Sequence, residues 1–179
     1  MQIKNTINRF GTVAILLHWV IAIIIIGLLG LGLYMVPLPM NLWKLKLYGW
    51  HKEFGILVLA LAVIRVAWRL SNITPKLPEH LALWQKLAAQ SVHFAFYLFM
   101  FAMPISGWMI SSAAGLPVSF FGLFVLPDLV SSNEGMRLLL SEIHKWLGYG
   151  LILTIFAHVG AALQHHFIYK DDTLRRMLP

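Results

Sequence analysis

The chain has 179 residues, 59% of them hydrophobic and 12% charged, and a mean hydropathy of +0.76, which leaves too little polar surface for a soluble domain of this size. Its net charge is +7, but the basic residues flank apolar runs, so they read as topology signals and no nucleic-acid partner is expected. It has no cysteine, which excludes disulfides, iron–sulfur clusters, thiolate zinc sites and covalent C-x-x-C-H haem attachment.

A first helix is expected at about 12–34, inside a run from Gly11 to Met40 without Asp, Glu, Lys or Arg. A bilayer core needs about 20 apolar residues, so this run spans it. It is too long for a signal-peptide core and no small-x-small cleavage site follows, so it reads as a retained span. His18 lies near its start. The second helix, about 48–70, carries His51 near its start, is apolar from Phe54 to Ile64, and ends with Arg65 and Arg69. The third, about 89–112, sits in the charge-free run from Gln90 to Pro127, with His93 near its start and Pro104 as an expected kink. The stretch AAGLPVSFFGLFVLP, 113–127, is too apolar for a free loop and is expected to lie in the outer interface, over the outer site or a quinone cleft. The fourth helix, about 143–167, carries His144, His158 and the pair His165–His166. Loops marked by Pro37–Pro39, Pro75–Pro78 and Pro117–Pro127 separate the helices; His80, in the second, is assigned no role. Residues 1–179 therefore form one domain without internal repeats, an all-α integral membrane protein built as a four-transmembrane-helix bundle.

With both termini cytoplasmic, that side holds nine basic residues (Lys4, Arg9, Arg65, Arg69, Lys76, Lys86, Lys170, Arg175, Arg176) and the other five (Lys44, Lys46, Lys52, Arg137, Lys145). The positive-inside bias selects this orientation. Alternating helix direction then places His18 and His158 at the cytoplasmic level, and His51 and His144 at the outer level. His144 and His158 are 14 residues apart, close to four whole turns, so both leave one helix face about 21 Å apart. Imidazoles inside a span are costly and need a partner. Each could hydrogen-bond a neighbouring backbone and fix helix packing. A zinc or copper site wants three or four converging ligands, whereas this chain offers separated twos. Two pairs matched in depth favour bis-histidine ligation of b-type haem, which needs no cysteine. Gly55, Gly148, Gly150, Gly160, Ala161 and Ala162 are small residues near the candidate ligands that would admit a flat macrocycle.

The segments LLHW (16–19), GWHKEFG (49–55), IHKWLGYG (143–150), AHVGAALQHH (157–166) and YKDDTLRRMLP (169–179) make the whole chain resemble the bacterial cytochrome b561 family, small di-haem, quinone-linked cytochromes of the inner membrane. The resemblance implies that His18 and His158 ligate the iron of a cytoplasmic-side haem, and His51 and His144 that of a periplasmic-side haem. It further implies an activity of the superoxide oxidase type, in which periplasmic superoxide is oxidised and ubiquinone reduced. The expected partners are then the lipid bilayer, superoxide and quinone, with no protein partner required.

Such a site gathers an anion faster through a positive mouth. Lys52 and Lys145 adjoin the outer ligands and are candidates, with Lys44 and Lys46 as either further members or interfacial anchors. Arg65 and Arg69, four residues apart, either pair with haem propionates or reach lipid phosphates. His165 shares the direction of His158 and suits a propionate, a quinone oxygen or proton delivery. His93 could be an alternative ligand, a quinone contact or a packing residue, and His166 reads as hydrated and interfacial. Two other functions stay open: a cytochrome subunit linking a dehydrogenase or hydrogenase to quinone, and a haem-free carrier with a histidine proton relay.

Overall fold

The computed structural model describes residues 2–76 and 81–178, which leaves His80 outside it. Its elements are α1 (Thr12–Met35), α2 (Leu42–Leu70), α3 (Leu83–Ala113), a hairpin of β1 (Val118–Phe120) and β2 (Phe124–Leu126), and α4 (Glu134–Gln164). A π-helical turn, His165–Tyr169, prolongs α4, and a 3₁₀ turn, Arg175–Met177, closes the chain.

Helix α1 begins where the apolar run predicts, but α2, α3 and α4 begin at Leu42, Leu83 and Glu134 against expected starts near 48, 89 and 143. Capping groups, not hydrophobicity, set those starts. The Asn41 side chain accepts from the Lys44 N–H at 2.9 Å, the Gln85 side chain from the Ala82 N–H at 2.9 Å, and the Asn133 side chain from the Met136 N–H at 2.8 Å. The added turns carry charge and project past the apolar stretch. His51 and His144 consequently lie about three turns inside their helices, deeper than their place at the start of each apolar run suggests.

The helices pack in chain order, α1 on α2, α2 on α3 and α3 on α4, with no comparable packing of α1 on α4. Ile21, Ala62 and Met100 form the buried centre of the first three, backed by Ile25, Leu61, Tyr97 and Phe101. Between α3 and α4 the closeness rests on Gly150, where a Cβ would stand 3.0 Å from Phe99 Cζ. Among the described residues, three helices are long and apolar enough to cross a membrane: α1, α3, and α4 with its π turn. Helix α2 is of comparable length but carries Lys44, Lys46, Lys52, Glu53, Arg65 and Arg69.

Both termini lie at one end of the bundle, the terminal end. There the Asn5 amide donates to the Ile73 carbonyl at 2.8 Å, the Lys76 N–H to the Ile7 carbonyl at 3.1 Å, Trp19 Nε1 to the Met177 carbonyl at 2.7 Å and Arg176 to the Lys76 carbonyl at 2.8 Å. The opposite end carries the β-hairpin, an element that the all-α expectation lacked. Strand β1 pairs antiparallel with β2, Val118 opposite Leu126 and Phe120 opposite Phe124. Its turn needs positive φ at two successive residues, Phe121 (49°) and Gly122 (71°). Glycine adopts that conformation without cost, whereas Phe121 is strained. Lys52 Nζ donates to the Pro117 carbonyl at 3.1 Å and the Phe54 and Phe121 rings meet at 5.3 Å, which seats the hairpin on α2.

At the same end Lys44 is buried, and its ammonium donates to the carbonyls of Val36 (3.0 Å) and Leu38 (2.7 Å), just past the last turn of α1. It satisfies carbonyls that the helix end leaves open and complements the dipole. Lys44→Met keeps the stem and removes the donor, which should cost about 1–3 kcal/mol. Thermal unfolding in detergent is expected to show a lower midpoint than wild type, and an unchanged midpoint removes the capping role.

Candidate functional site

At the terminal end, α1, α3 and α4 bring three imidazoles together. The His18 and His158 rings lie 6.2 Å apart, centroid to centroid, and the His93 and His158 rings 5.8 Å apart, with Phe96 edge-on to His158 at 5.2 Å. The guanidinium of Arg65 approaches Nδ1 of His18 at 3.4 Å. Arginine has only donors, so this contact makes Nδ1 the acceptor and places the proton of neutral His18 on Nε2. Binding of a metal through Nε2 therefore requires Arg65 to release this long contact. Arg69 lies over the Tyr97 ring at 5.5 Å. Both arginines line a small cleft with Asn5, Trp68, Thr74 and Met177.

At the hairpin end, α2 and α4 hold His51 and His144 with centroids 6.3 Å apart. Nδ1 of His144 lies 2.8 Å from the Ser106 hydroxyl, whereas Nδ1 of His51 is buried without a hydrogen-bond partner among the described residues. Small residues clear space for both rings. A Cβ at Gly32 would stand 3.5 Å from His51 Cε1, and one at Gly107 3.3 Å from His144 Cε1. Neither was among the glycines expected beside the ligands. Of those, Gly150 and Gly148 face Phe99 and Met103 of α3, and Gly55 and Gly160 meet nothing within 4 Å. Ser106 and Gly107 also escaped the sequence reading, although counting back from the end of α3 puts them at the depth of His144.

Between the two levels, α1 and α4 leave an apolar gap of about 150 Å³, lined by Ile26, Leu29, Ile152, Ile155 and Phe156. The unpacked α1–α4 side thus coincides with the facing rings of His18 and His158. Imidazole nitrogens bond transition metals at about 2 Å, so two rings on opposite sides of one ion have centroids roughly 6 Å apart. Each pair has that separation. Of the nitrogens in the four paired rings, Nδ1 of His51 is buried without a partner among the described residues, which is costly in an apolar interior.

The four lysines expected around the outer site are placed unequally. Lys44 is buried against carbonyls, Lys52 is bound to Pro117, Lys145 pairs with Glu142, and Lys46 lies over the Trp50 ring at 5.1 Å. Beyond the terminal-end cluster, His165 Nδ1 meets the Asp171 carboxylate at 2.6 Å. Lys170, with φ 54°, reverses the chain after the π turn, and the Asp171 N–H bonds back to the His165 carbonyl at 3.2 Å. The half-buried His166 ring lies against Phe167, with its Nδ1 buried and unpartnered among the described residues.

The family model for prokaryotic cytochrome b561 matches residues 9–179. The chain is 41% identical over 180 residues to cytochrome b561 homolog 2 of Escherichia coli (strain K12), covering 99% of this chain and 95% of that protein. It is 33% identical over 180 residues to cytochrome b561 homolog 1 of the same organism, covering 96% and 98%. It is 29% identical over 174 residues to a Yersinia pestis protein named probable superoxide oxidase CybB, covering 96% and 97%.

The His165–Asp171 pair gives a pH test. Partial burial favours the neutral acid, but hydrogen bonds from Thr173 and His165 and the adjacent imidazole outweigh it and hold the Asp171 carboxyl at about 2. An unfolded aspartate titrates near 3.9, so the folded value is depressed. The stabilisation by ionised Asp171 is complete above about pH 5 and disappears as pH falls through 3.9 towards 2. Limited proteolysis of the C-terminal tail should therefore proceed faster in Asp171→Asn than in wild type at pH 7, with the difference shrinking as pH falls below 4.

Proposed function

Because the chain belongs to the prokaryotic cytochrome b561 family, membrane electron-transfer proteins with b-type haem, we propose that it holds two haem b groups, oxidises superoxide to O₂ and reduces ubiquinone. The observation that carries this reading is the pair of facing imidazoles at each of two levels, 6.2 and 6.3 Å between centroids, both supplied in part by the uninterrupted helix α4. In this reading α2 is the fourth span of a bacterial inner-membrane protein, the terminal end is cytoplasmic and the hairpin end periplasmic. The superoxide step draws on the relative that bears that name.

The residues present fit such groups. His18 and His158 would hold one iron and His51 and His144 the other, in a bundle whose α1–α4 side is open and whose His51 Nδ1 is unsatisfied. Bound in this way, haem supplies one-electron transfer through its edge, with no iron position left for oxygen. The chain's own contribution is placement. Helix α4 sets the two levels about 21 Å apart, close enough for one protein to connect a donor at one membrane face with an acceptor near the other. Lys46 and Lys52 add positive charge at the hairpin end and raise the local concentration of a small anion, whereas the charge of Lys145 is met by Glu142. The buried, carbonyl-bound Lys44 contributes to stability there, not to that mouth.

At the terminal end Arg65 and Arg69 offer charge-assisted hydrogen bonds to propionate carboxylates, and Arg65 would exchange its contact with His18 for one of them. His165 donates Nδ1–H to Asp171, which orients the ring and leaves the Nε2 lone pair to take up a proton from the aqueous side and then hand it to a quinone oxygen. His93 presents a third imidazole at the same level for a quinone or propionate contact. The balance closes: two superoxide ions lose one electron each, and ubiquinone takes up those two electrons and two protons.

A reduced-minus-oxidised spectrum with haem quantification should give two haems b per chain. His51→Ala and His144→Ala should each lose one haem and retain the other, and retention of both in either variant would refute the pairing. Mixing oxidised protein with superoxide in a stopped-flow instrument should reduce haem within the mixing experiment. Absence of that reduction, with both haems present, leaves an electron-transfer cytochrome with a different donor.

A further inference from the structure

Ser106 lies on α3 with 6% of its surface exposed. Its hydroxyl oxygen is 2.9 Å from the Met103 carbonyl oxygen and 2.8 Å from Nδ1 of His144. A hydroxyl has one hydrogen and a carbonyl has none, so that hydrogen goes to Met103. Towards His144 the hydroxyl can then only accept, and Nδ1 must be the nitrogen that carries the proton. In the neutral ring this leaves the Nε2 lone pair free. The adjoining Gly107 completes the seat, since a Cβ there would come 3.3 Å from Cε1 and 3.7 Å from Nδ1 of the same ring. Among the described residues, neither His51 nor His18 has this support. Nδ1 of His51 has no partner among the described residues, and Nδ1 of His18 faces the donor Arg65.

We propose that Ser106 is a positioning residue, which accepts the Nδ1–H of His144, holds the tautomer that presents Nε2 to iron, and makes this ring the stronger electron donor of its pair. The proposal rests on the two-haem reading. A hydrogen bond from the distal N–H raises the basicity of a ligating imidazole, which favours ferric over ferrous iron. Its loss should therefore raise the midpoint potential of the hairpin-end haem and leave the other haem as it was.

Potentiometric titration of the purified full-length protein tests this, with haem content and low-temperature EPR spectra taken on the same samples. Ser106→Ala is expected to keep two haems and to shift the reduction equilibrium of one of them by about tenfold towards the ferrous form, which for one electron is about 59 mV. The g values of that haem alone should move. Ser106→Thr, which keeps a hydroxyl, is expected to restore the wild-type potential and spectrum. Should Ser106→Ala lose one haem, retention of both by Ser106→Thr supports the same role, and loss from both variants overturns it. Two haems with unchanged potentials and g values in Ser106→Ala also overturn it while leaving the haem reading intact. Failure of that reading has a different signature, a wild-type protein without haem absorbance, and it would remove both proposals.

Discussion

Imidazole nitrogens placed in an apolar interior need partners, and the way this bundle arranges them governs its shape. Four of its rings face each other in two pairs, His18 with His158 between α1 and α4 and His51 with His144 between α2 and α4, beside the side where α1 and α4 have no close packing. Direct closure of that side would bury the nitrogens against hydrocarbon, at a cost of several kcal/mol for each unsatisfied group. The bundle instead closes through three consecutive helix pairs and leaves the fourth side to the His18–His158 pair and an apolar gap. Glycines at 32 and 107 belong to the same arrangement, because they let rings from other helices approach the backbone of α1 and α3.

The ends of the bundle serve this arrangement in different ways. At the terminal end, carbonyls of the α2–α3 connection (Ile73 and Lys76) and of the C-terminal tail (Met177) accept side-chain donors, so the N-terminus, that connection and the tail are tied over the histidine cluster. At the hairpin end, lysine ammonium groups take over part of that work, Lys44 on the last carbonyls of α1 and Lys52 on the hairpin. Positive charge there has a structural use before any electrostatic one. The distinction separates Lys44, which is enclosed, from Lys46, Lys52 and Lys145, which keep contact with solvent.

Much of the site was legible because a helix is a one-dimensional ruler. The spacing of His144 and His158 fixes their separation and their common face, and alternating direction assigns depths to His18, His51 and His93. Less of the capping was legible. Asn133 before Glu134 is an N-terminal signal, but an apolar-run criterion overlooks it, and the first, polar turns of α2 and α4 fall outside the spans that hydropathy marks. The hairpin was hidden for a different reason. SFFGLFV has no simple alternation, and its turn relies on Phe121 accepting a positive φ that only its surroundings can impose.

By itself, the sequence determined the membrane class, the number of long helices and the two histidine levels, since these follow from hydropathy and from residue spacing along a regular helix. Only the tertiary structure decided what each nitrogen meets. It puts Ser106 against His144, no group against His51, Arg65 against His18 and Asp171 against His165. Such contacts join residues up to 47 positions apart, or residues on either side of a chain reversal, and depend on rotations about helix axes that spacing does not encode. The gap between α1 and α4 belongs to the same class, because which helices pack and which stay apart is settled by the whole bundle.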